Sequence, residues 1–74
     1  MNDIADIMIH VHPDLLSVQR ERLEEEVRVL RGVITVCFGK KVTHELAVIY
    51  NPESINSEKI LKRVKQWDKD AVIF

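Results

Sequence analysis

Hydrophobic and polar positions alternate over "IMIHVH": Ile7, Ile9 and Val11 share one face, and Met8, His10 and His12 share the other. That period predicts a half-buried strand, which Pro13 and Asp14 end because proline cannot donate to a ladder. Over residues 17–31 the period becomes helical, with Leu16, Leu23, Val27 and Leu30 on one stripe. The aliphatic stem of Arg20 fills the missing turn of that stripe. Ser17 is the expected N-cap, and Gly32 is placed to end the helix in a left-handed conformation. The opposite face carries Arg20/Glu24, Arg22/Glu26 and Glu24/Arg28 at i,i+4, a spacing that supports a solvated helix face.

"VITVCF" then reads as a second strand, "GKK" as a hairpin turn, and "ELAVIY" as a third strand with Leu46, Val48 and Tyr50 in phase. Asn51-Pro52 ends it. "SEKILKRVKQW" predicts a second helix, N-capped by Ser57, with Ile60, Leu61, Val64 and Trp67 on its apolar side; "AVIF" is a closing strand. The order strand, helix, strand, strand, helix, strand, with two right-handed crossovers, gives an α+β ferredoxin-like sandwich. Its four-stranded antiparallel sheet has order 4-1-3-2, and both helices cover one face. The whole chain, 1–74, reads as one domain, because 74 residues bury only a modest core.

Composition narrows the function more than it names it. A formal net charge of -1, from 11 basic and 12 acidic residues, argues against nucleic acid or an anionic membrane as partner. Lys40-Lys41 is a local basic cluster. The single cysteine, Cys37, excludes an internal disulfide framework and fits a reducing compartment. No apolar run approaches the roughly 20 residues that span a bilayer, and the Asp-bearing start is unlike a signal peptide. A cytoplasmic protein without membrane insertion is the expectation.

Two stretches carry a family resemblance. "LRGVITVCF" resembles the helix end and second strand of the heavy-metal-associated domains of copper chaperones and metal-pumping ATPases. "VIYNPESINSEKILKRV" resembles their third strand, turn and second helix. The resemblance implies the ferredoxin-like fold and a metal motif, Met-x-Cys-x-x-Cys, where the first strand meets the first helix. Counting back from Gly32, that motif falls on Asp14, Leu16 and Gln19, and no cysteine precedes Cys37. Leucine cannot coordinate a metal and an amide is a hard donor, so the thiolate pair that would select Cu(I) is absent. Asp68-Lys69 stands where the family has a glycine and an aromatic residue.

Two functions remain open on the residues. In the first, the chain is a non-enzymatic interaction module with no cofactor. It meets an unidentified protein, or itself, through the helix-free sheet face: Met8 and His10 from the first strand, Cys37 from the second, Ala47 and Ile49 from the third, Val72 and Phe74 from the fourth. In the alternative it binds or carries a divalent transition metal, zinc, nickel or copper. His10 and His12 then replace the cysteine pair, and a third ligand comes from Cys37, His44, Glu45 or a second subunit. Residue chemistry favours the first and family association the second. Met8, His10, Ala47 and Ile49 lack the stacking aromatics of an RNA-recognition motif. No Ser-His-Asp, Cys-His or paired-carboxylate pattern points to an enzyme.

Overall fold

In the computed structural model, residues 4–39 and 44–73 are described. The elements are β1 (Ala5–His10), α1 (Ser17–Arg28), β2 (Val33–Phe38), β3 (Glu45–Tyr50), α2 (Ser57–Lys65) and β4 (Val72–Ile73). The sheet is antiparallel with order β2-β3-β1-β4, the topology expected from the pattern. Phe74 and the hairpin lysines Lys40 and Lys41 lie outside the described residues.

The core forms where the strand and helix periods meet. Ile9, Leu46, Val48 and Tyr50 from the sheet pack with Leu23 and Val27 of α1 and Ile60 and Val64 of α2. Fully burying one such side chain stabilises the fold by about 1.5–3 kcal/mol. Leu61 and Trp67 pack at the margin, as their position on the apolar side of the second helix predicts. In β2, Val33 and Val36 both turn inward although three residues apart, because a bulge between Val33 and Thr35 inserts an extra residue.

Several local details differ from the sequence reading. The N-cap of α1 is Leu16, not Ser17, and Gln19 Oε1 accepts from its backbone N–H at 2.8 Å. As the cap residue Leu16 is extended (φ -70°, ψ 156°) and 64% exposed, so it leaves the apolar stripe. Leu15 packs on the core in its place, and its carbonyl accepts from the Arg20 guanidinium. Helix α1 stops at Arg28 because the last turn tightens: Leu30 N–H donates to Val27 O at 3.1 Å. Gly32 follows at φ +100°, and its Cβ, if present, would lie 2.8 Å from Ser54 Cβ. Helix α2 is capped by Asn56, not Ser57, with Asn56 Oδ1 accepting from Lys59 N–H at 2.8 Å. It ends at Lys65, where Trp67 N–H turns to Val64 O at 2.9 Å. The ion pairs differ too: Glu25 meets Arg28 at 3.8 Å and Glu26 meets Arg63 of α2 at 4.0 Å, while Glu24 accepts from the Phe38 N–H.

Candidate metal centre and the loop beside it

The connection from β1 to α1 holds the positions where the resemblance places metal ligands, and its groups are spent on structure. Val11 is buried and donates its N–H to His44 O at 2.9 Å, tying the end of the first strand to the start of the third. The His12 N–H donates to Asp68 Oδ2 at 2.6 Å, and Asp68 Oδ1 accepts from Asp70 N–H at 3.0 Å. One carboxylate thus fastens the loop to the turn before β4. This is what Asp68 does where the family has its glycine.

Side chains of the loop follow the same logic. The His12 ring, with its side chain 57% exposed, turns back on its own loop, Nδ1 accepting from Asp14 N–H at 3.2 Å. Leu16 and Gln19, the positions of the two family cysteines, are joined to each other by the helix-capping hydrogen bond.

The convergence of ligand-capable groups lies one step back along β1. Register places His10 opposite Glu45 of β3. The His10 Nε2–H donates to Glu45 Oε2 at 3.0 Å, with side chains 32% and 24% exposed. His44 immediately precedes β3, held by the Val11 hydrogen bond, and its ring centroid is 4.9 Å from that of His10 at an interplanar angle of 53°. One ligand atom from each of His10, His44 and Glu45 lies within 4.8 Å of the others. His12 is not part of this set. Nor is Cys37, which is exposed on β2, with β3 between it and β1.

The expected open-face residues are collected by the same register. Cys37, Ala47 and Met8 form one row across β2, β3 and β1. Thr35, Ile49 and Asp6 form the next row, and Glu45, His10 and Val72 the row on the other side. A shallow concavity lies over Ile4, Asp6, Met8, Ala47 and Ile49. Ile73 pairs with inward-facing Ile9 and belongs to the helix side. Among the described residues no helix is long and apolar enough to cross a membrane.

No protein-family model matches the sequence, and a search of curated proteins finds no relative. Solved structures do match. Oxidized MerP from Ralstonia metallidurans CH34 superposes with a TM-score of 0.81 at 13% identity, covering 96% of this chain and 97% of that one. A copper binding domain from HMA7, a P-type ATPase, gives 0.80 at 16% identity over 93% and 92%. The yeast copper transporter domain Ccc2a gives 0.79 at 23% identity over 93% of each chain. Identities this low carry the fold and not the site, so the finding is architectural: the chain has the ferredoxin-like fold of heavy-metal-associated domains, built without their cysteine pair.

Proposed function

We propose that this chain is a non-enzymatic metal-ion-binding domain of the heavy-metal-associated type that takes a divalent ion rather than Cu(I). The observation that carries the reading is end-to-end similarity to solved domains whose names include a copper binding domain and a copper transporter domain. In a chain without the thiolate pair, the ligands left are imidazole and carboxylate, which suit borderline and harder divalent ions. The reading is of a binder, not a catalyst, and the lone thiol, Cys37, stands exposed on β2.

Equilibrium dialysis of the full chain against Zn(II), Ni(II), Cu(II) and, under reducing conditions, Cu(I) tests this. One divalent ion per chain, retained in Cys37→Ser, is the expected result. No stoichiometric uptake of any divalent ion sinks the reading.

A second reading is supported by the open face. Met8, Cys37, Ala47 and Ile49 form a contiguous, largely apolar area on the helix-free side, the kind of surface through which a small domain meets a partner or itself. Sedimentation across a concentration series tests self-association. Mass that rises with concentration in the parent and not in Ile49→Glu supports it; a monomer throughout leaves only a foreign partner.

A further inference from the structure

We infer that the ion is held by His10, His44 and Glu45, at the end of the β1–β3 pair, and not by the β1–α1 loop. The inference rests on the metal-binding reading and names its site. The residues come from two parts of the chain, the end of β1 and the start of β3, and are set by backbone structure. His10 and Glu45 are cross-strand partners, and His44 is fixed through its carbonyl to Val11. All three are partly buried, so much of the ordering an ion would demand is already in place.

Distances support the assignment. Zinc bonds to nitrogen and oxygen of 2.0–2.2 Å put tetrahedral ligands roughly 3.3–3.6 Å apart. The His10–Glu45 pair is already at 3.0 Å, and the widest separation in the trio is within 4.8 Å. Closing the set to those spacings asks at most about 1.5 Å of its widest pair. In taking Nε2 of His10 the ion replaces the hydrogen bond to Glu45, and the proton on that nitrogen moves to Nδ1 or leaves to solvent. Two neutral imidazoles and one carboxylate form a ligand set with no sulfur, which fits Zn(II), Co(II) or Ni(II) and disfavours Cu(I). Three protein ligands leave a fourth position for water or a donor from another molecule, as in exchangeable sites and unlike four-ligand structural zinc. The partial exposure of His10 and Glu45 leaves that position accessible.

The loop makes a poorer host. His12 and Asp14 are both exposed, and among the described residues no third ligand-capable side chain converges on them.

The test titrates the ¹⁵N-labelled full chain with Zn(II), and in parallel with Co(II), whose visible absorption reports coordination number. It uses the parent, His44→Gln, Glu45→Gln and His12→Gln, with amide spectra confirming that each is folded. Expected are saturable shifts centred on residues 10, 44 and 45, a four-coordinate Co(II) spectrum, and affinity lowered at least tenfold in His44→Gln and Glu45→Gln. His12→Gln should stay within twofold of the parent. Parent-like binding by His44→Gln overturns this site while leaving the metal reading standing, as does a loss confined to His12→Gln. If the parent binds neither ion, the site and the metal reading fall together.

Discussion

Two neighbouring regions at the end of β1 contain the same kinds of side chain and use them in opposite ways. Along the loop from His12 to Gln19, a histidine, an amide and one carboxylate reaching in from the turn before β4 each accept a backbone N–H: Asp68 from His12, His12 from Asp14, Gln19 from Leu16. At the strand end, two imidazoles and a carboxylate face one another with ligand atoms within 4.8 Å. A polar group that satisfies a nearby N–H contributes about 0.5–1.5 kcal/mol to folding and is tied to that task. At the strand end the backbone of His10 and Glu45 is satisfied in the ladder, and their side chains bond to each other, 3.0 Å apart, rather than to a nearby N–H. The loop has become a structural connection, and the sheet end has the better claim to a ligand.

Restoring the cysteines is the most direct way to break that contrast. Leu16→Cys/Gln19→Cys should take the chain from no stoichiometric Cu(I) binding to one ion per chain, measured by competition with a chromogenic chelator under reducing conditions. If the folded double variant still ignores Cu(I), the loop has lost more than its thiols. The strand end is sharpened by Glu45→Gln. Besides its effect on Zn(II), this change should cost only about 0.5–1.5 kcal/mol in urea unfolding, because a partly exposed hydrogen bond is at stake. A much larger loss would make Glu45 a structural residue first.

Asp68→Ala tests the loop from its far side. It removes the acceptor of the His12 and Asp70 N–H groups and should cost about 1–2 kcal/mol, while leaving Zn(II) affinity within twofold. Tenfold weaker Zn(II) binding in this variant would draw the site back toward the loop. The smallest effect belongs to Gln19→Ala, about 0.5–1 kcal/mol from loss of a helix cap, again with no change in metal affinity. Amide exchange should quicken over the first turn of α1 and nowhere near His10.

Much of the fold was legible because it depends on period and order. Alternation in "IMIHVH" and "ELAVIY" places Ile9, Leu46, Val48 and Tyr50 inward, and they are inward. Gly32 was readable as a helix terminator because few residues other than glycine accept φ +100° there. Helix starts were less legible. Leu16 and Ser17 differ by one position, and which becomes the cap depends on Gln19 reaching back and on Leu15 finding the core. The turn residues Lys40 and Lys41, and Phe74, fall outside the described residues, so expectations placed on them stand as expectations.

The sequence by itself determined the order of elements, the inward face of β1 and β3 and most of the inward stripe of each helix, and the absence of the thiolate pair, since each is a property of residue type and local spacing. It named His44 and Glu45 among several third ligands and paired His10 with His12, because two positions along a strand is the only proximity that spacing can report. Only the tertiary structure decided that His10 meets Glu45, 35 positions away, and His44 beside it, while His12 leaves the strand for Asp14. The reason is register. Slipping one strand past another by a single residue turns every side chain to the other face, and that choice is made by the packing of the whole sheet against its helices rather than by either strand alone.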